Sequence, residues 1–147
     1  MTDNSRTVIE TLIDTVYDSI EGYRRAGETA DTAGLKTVFS NQIDRRRRTL
    51  EMLNQELGRL GGEVITKGTM TGALHQVWLK ITEAFESGDE AAIDRVQEGE
   101  EYLVGKFETA LEDTDLDPQT RTVIEQALTE VRQGESLADQ LEGADDA

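Results

Sequence analysis

Cysteine is absent from this chain, which excludes a disulfide framework and a thiolate metal site. Histidine occurs once, at His75, so the usual clusters of imidazole ligands cannot form. Lysine is scarce at four residues, and no apolar run approaches the roughly 20 residues of a membrane span. The first residues, Met1 to Ser5, lack the basic and apolar regions of a signal peptide. A soluble, cytoplasmic protein is the expectation. Positive charge is outnumbered, with 31 acids against 15 bases and a formal net charge of −16. Such a surface repels nucleic acid and anionic lipid, so neither is an expected partner. The same excess of acid is a known adaptation to a high-salt habitat and carries no mechanism.

What remains is helical periodicity. At 147 residues and 16.3 kDa the chain fits one domain, 1–147. The segment 5–30 places Ile9, Ile13, Val16, Ile20, Tyr23, Gly27 and Ala30 on one face in alternating steps of four and three, a bundle helix with a narrow seam. A four-residue break, 31–34, predicts an antiparallel hairpin with a second helix over 34–60. Gly61-Gly62 should stop it. A short amphipathic helix is expected over 72–86, with Leu74, Trp78, Ile81 and Phe85 on its apolar face. A long helix over 89–112 carries Ile93, Val96, Glu100, Leu103, Phe107 and Ala110. The last, 118–141, opens on Asp117 as cap and Pro118 as first residue, with Ile124, Ala127, Val131, Gly134, Ala138 and Leu141 inward. An acidic tail, 142–147, closes the chain.

Helices of this length span about 36 to 40 Å. The roughly 28 residues between the second and third long helices far exceed a hairpin's need and suffice to cross the bundle. The two helices should therefore run parallel, joined by a crossover holding the short helix. The expected fold is all-α, a four-helix bundle of ferritin-like topology.

Within the second helix, the apolar face Leu35, Phe39, Leu50, Leu53, Leu57 and Leu60 is continuous only if Gln42 and Arg46 fill its gap. Arg46 therefore points inward, while Arg45, Arg47 and Arg48 fall on other sides. A buried guanidinium requires an acid at its own height. Glu100 lies near the middle of the third long helix, Glu130 near the middle of the fourth and Glu21 just past the middle of the first. The expectation is a buried ion pair of Arg46 with Glu100, with Glu21 or Glu130 as further acceptors. Tyr17 and Tyr23 can border this layer and donate to a carboxylate, although core filling is the commoner role. Glu98 and Glu101 fall off the seam, as a solvated face. His75 reads as a surface or half-buried helix residue.

Glu21-Gly22-Tyr23, Phe39 with Arg46, Leu60-Gly61-Gly62, Gly72-Ala73-Leu74-His75 with Trp78, and Gly99-Glu100 together make the chain resemble a bacterial ferritin-like four-helix-bundle family of unknown function, in the wider rubrerythrin and ferritin group. The resemblance implies a ferritin-like fold without an assigned activity. The wider group includes iron-oxidising and peroxide-removing enzymes with a carboxylate-bridged di-iron centre, built with Glu-x-x-His motifs on two helices. This chain has Asp44-Arg45-Arg46-Arg47 and Glu130-Val131-Arg132-Gln133 in the corresponding places, and neither holds histidine.

No nucleophile with a base, phosphate loop or dinucleotide fingerprint is recognisable. The leading expectation is a non-enzymatic, metal-free, homo-oligomeric bundle acting as a partner-binding or stress-related protein, with no cofactor. Two rivals stand beside it. One is a carboxylate-only metal protein in which Glu21, Glu100 and Glu130 hold iron or manganese and oxidise iron weakly. The other is a carrier of a small ligand inside the bundle.

Overall fold

Steps of four and three along the first segment produce one long helix, α1 (Thr2–Thr29). The computed structural model describes residues 2–31, 33–68, 80 and 89–135. It contains three further helices, α2 (Ala33–Arg59), α3 (Asp89–Leu111) and α4 (Pro118–Glu135), and no strand among the described residues. The first three long helices thus begin and end within three residues of the bounds read from sequence. Apart from Lys80, the expected short helix over 72–86, with Leu74, His75, Trp78, Ile81 and Phe85, lies outside the described residues, as does the tail 142–147.

Two capping devices fix one end of the molecule. Gly61 adopts φ +86°, the left-handed conformation that costs a side-chain-bearing residue and suits glycine. The Gly62 amide donates to the Leu57 carbonyl (2.9 Å) and the Gly61 amide to the Gly58 carbonyl (3.0 Å), a Schellman turn that satisfies the last carbonyls of α2. At the start of α4, the Asp117 carboxylate accepts from the amides of Gln119 (2.9 Å) and Thr120 (3.4 Å). Pro118 follows as the first helical residue, where its missing N–H leaves nothing unpaired.

Contacts at that end set the direction of every helix. Asn4, near the start of α1, donates to the Asp113 carboxylate just after α3. Ser5 Oγ accepts from the Asp117 amide (2.8 Å), and Arg59, ending α2, reaches the Asp117 carboxylate (2.8 Å). The start of α1, the ends of α2 and α3 and the start of α4 therefore meet. It follows that α2 and α3 run parallel to each other and antiparallel to α1 and α4. Around the bundle, α1 packs against α2 and α3, and α4 packs against the same two helices. Between α2 and α3, which face each other on the diagonal, no Cα pair comes within 8 Å among the described residues.

The seams are buried largely where periodicity puts them. Ile9, Ile13, Val16 and Tyr23 of α1 meet Leu35, Phe39, Leu53 and Leu57 of α2, Val96, Leu103 and Phe107 of α3, and Ile124, Ala127 and Val131 of α4 in one core. On α1 the buried sector is wider than the narrow seam expected. Leu12, Ser19 and Ala26 are buried, while Ile20 is only half-buried. The cause is that α1 is covered from more than one side. Beyond its contacts with the other three helices, the segment 61–68 returns across it, so that a Cβ on Gly68 would lie 2.9 Å from Tyr17 Cβ.

Candidate functional site

Arg46 has thirteen residues of α2 on either side, and Glu100 has eleven residues of α3 on either side. Both side chains are 1% exposed, and they meet in the interior: Arg46 Nη2 donates to Glu100 Oε2 at 2.5 Å. The pair spans the diagonal of the bundle, where the backbones themselves stay apart. Two groups from α1 complete the cluster. The fully buried Tyr23 hydroxyl donates a short hydrogen bond to Glu100 Oε1, and Arg46 Nη1 donates to Ser19 Oγ at 3.3 Å. Ser19 in turn donates to the Val16 carbonyl at 2.7 Å. The Arg46 guanidinium carbon stands 6.0 Å from the Tyr23 ring centroid, and that ring packs on Phe39 with centroids 5.5 Å apart.

The local electrostatics follow from burial. One cation and one anion cancel, and each Glu100 oxygen has its own donor, which is the condition under which a buried pair is tolerated. The Tyr23 hydroxyl is pushed well above its ordinary pKa by burial and then by the Glu100 charge, with Arg46 opposing. It therefore stays protonated and serves as a donor. The buried Gln42 amide nitrogen finds no well-formed hydrogen bond among the described residues, though it stands close enough to Tyr23 to oppose that rise.

Of the residues that the sequence singles out, the structure brings Arg46 and Glu100 together and leaves Glu21 and Glu130 apart from them. Glu21 is two residues from Tyr23, about 200° round the helix. Its carboxylate turns to Arg24 (2.5 Å) and Arg25 (3.1 Å). Hydrogen bonding from Arg24 holds it below the usual carboxylate range, against a smaller opposing effect of burial. Glu130, half-buried and about 100° from the buried Val131, makes no hydrogen bond or ion pair with the cluster. Tyr17 stands away from the cluster and donates to the Ile65 carbonyl at 3.0 Å. His75 lies outside the described residues.

Residues in this arrangement do not fit a carboxylate-bridged pair of metal ions. Such a centre needs converging carboxylates with free lone pairs. Here both oxygens of Glu100 already face donors and a guanidinium fills the space beside them. Among the described residues no three of histidine, cysteine, aspartate and glutamate come together.

Sequence reasoning missed three elements of this interior. Ser19 carried no signal, because a serine beside a seam is common. Asp18, 3% exposed, has its pKa pushed up to about 7 by burial and by Asp14 one turn away. The Asp14, Asp18 spacing of four was visible as a like-charge pair on one helix face. Near the capped end, the 3%-exposed Glu56 accepts from Arg59 (2.7 and 2.8 Å) and from Thr120 Oγ1 (2.5 Å). Burial alone would raise its pKa, but those hydrogen bonds outweigh it and hold the carboxyl below its ordinary value.

A family model described as a domain of unknown function (DUF2383) matches residues 5–113, which is 109 of the 147 residues. The chain belongs to that DUF2383 family. The matched region runs from α1 to just past the end of α3, so Ser19, Tyr23, Arg46 and Glu100 all fall within it, while α4 lies beyond. Neither a curated protein nor a solved structure matches the chain. No helix among the described residues is long and apolar enough to cross a membrane.

Proposed function

We propose that this DUF2383 chain is a metal-free bundle of ferritin-like topology that acts by binding a protein partner rather than by catalysis. On this reading Arg46 supplies, at the centre of the bundle, the positive charge that metal ions supply in the di-iron members of the wider group. One observation carries it: Glu100, 1% exposed, spends one carboxylate oxygen on Arg46 and the other on Tyr23. With both oxygens already engaged, Glu100 is poorly placed to chelate or bridge metal ions, and the neighbouring guanidinium repels a cation. The parallel run of α2 and α3 supports the ferritin-like topology, since it requires a connection crossing the bundle. A cytoplasmic homo-oligomer with a stress-related role completes the proposal.

The test is metal analysis of protein purified without chelator, followed by addition of iron(II) under air. The expected outcome is less than about 0.1 iron or manganese per chain and iron oxidation no faster than in buffer. Near-stoichiometric metal, or catalysed oxidation, would replace this reading with a carboxylate metal site.

A further inference from the structure

A second feature lies outside the Arg46 cluster and does not depend on the function proposed for it. After the Schellman turn, the segment 61–68 folds back over the junction of α1 and α2 and is pinned there at Ile65. Asn54 donates to the Ile65 carbonyl (3.1 Å) and accepts from the Ile65 amide (3.0 Å), and the Tyr17 hydroxyl donates to the same carbonyl (3.0 Å). Between this strap and the two helices is an open groove of about 670 Å³, within the usual size of a small-molecule site. Ile20, Leu50, Val64 and Ile65 give it apolar walls. Val64 is 65% exposed, the one large apolar side chain so exposed among the described residues.

Arg47 stands on the same groove, exposed, and makes no ion pair or hydrogen bond among the described residues. Arg24, Arg25, Arg46, Arg59 and Arg132 hold carboxylates, whereas Arg6, Arg45 and Arg48, like Arg47, hold none among the described residues; of these four, Arg47 is the arginine that lines the groove. An unpartnered cation beside an unpartnered apolar surface is complementary to a ligand with both characters. We propose that the groove binds a small amphipathic monoanion, its apolar body on Ile20, Leu50, Val64 and Ile65 and its carboxylate-like group on Arg47. Glu51, also on the groove one turn from Arg47, and the −16 net charge both oppose a second negative charge on the ligand. The same net charge disfavours an anionic membrane as the source of that ligand, so the occupant is a free molecule.

The test is fluorescence titration of the full chain with anilinonaphthalene sulfonate, an apolar fluorophore bearing one sulfonate, alongside the uncharged phenylnaphthylamine. Saturable binding of the sulfonate is expected, weakened at least about tenfold in Arg47→Glu, the scale of one charge-assisted contact. It should tighten in Glu51→Gln. The uncharged probe should change by less than about twofold in either variant, on the same scale, and circular dichroism melts should match the parent. Absence of saturable binding, or equal sulfonate affinity in Arg47→Glu, would overturn the proposal. So would co-sedimentation with phosphatidylglycerol vesicles that Arg47→Glu abolishes, because the source would then be a bilayer.

Discussion

Tyr23 and Asp18 are both buried on α1, and burial raises the pKa of both, yet they act on stability in different ways. Tyr23 gives one Glu100 oxygen its donor. Tyr23→Phe leaves that oxygen buried and unpaired, and urea unfolding should register a loss of about 1 to 3 kcal/mol; an unchanged midpoint would deny the hydrogen bond its role. Asp18 has a folded pKa of about 7, above its ordinary 3.8, through burial first and Asp14 second. Ionising it therefore costs more in the folded state than in the unfolded one. Its contribution to stability is largest below about pH 4 and is lost as pH rises through 7. Asp18→Asn removes the ionisation and should stabilise the protein at pH 8 by roughly 2 to 4 kcal/mol, with little gain at pH 4. Melts at both pH values check this, and an Asn variant no more stable at pH 8 would contradict it. Glu21, Glu56 and Asp117 have lowered values, so their contributions run the other way and fade in acid. Arg46 and Glu100 were legible in the sequence because each interrupts an apolar seam. Glu21 and Glu130 were placed by height alone, and the angle round each helix puts them elsewhere.

At the scale of elements, helix faces and stops were legible because they rest on local rules. Periodicity locates the seam, Gly61-Gly62 ends α2, and Asp117-Pro118 opens α4. Gly61 and Gly58 give a paired prediction for thermal melting. Gly61 has φ +86° with open space around it, so Gly61→Ala suffers backbone strain alone and should lose about 1 kcal/mol or more. Gly58 lies within α2, also in open space, and Gly58→Ala should gain roughly 0.5 to 1 kcal/mol. A gain at position 61 would contradict the left-handed cap. Less legible was the width of the buried sector on α1. It depends on the strap 61–68, whose anchoring by Asn54 and Tyr17 is a tertiary event with no periodic signature.

Among the described residues most acids lie at the surface, while the centre of the bundle holds a neutral unit of Arg46 and Glu100 joined to α1 through Tyr23 and Ser19, with Asp18 and Glu56 as further buried acids. That unit also links α2 and α3, whose backbones do not approach each other across the diagonal. The parallel course of these helices could be argued from connection length, but which helices would lie diagonally opposed could not. A four-helix bundle does not require a charge at its centre, and well-packed apolar side chains of similar volume can replace a buried pair with little loss. What it cannot tolerate is half a pair. The measurement that tests the account most directly is therefore the unfolding free energy of Arg46→Met, of Glu100→Leu and of the two combined. Each single variant should lose roughly 3 to 5 kcal/mol by stranding the opposite charge, while the double variant should lie within about 1.5 kcal/mol of the parent. Small, equal and additive losses in the singles would contradict a mutually dependent charge pair at the centre of the bundle.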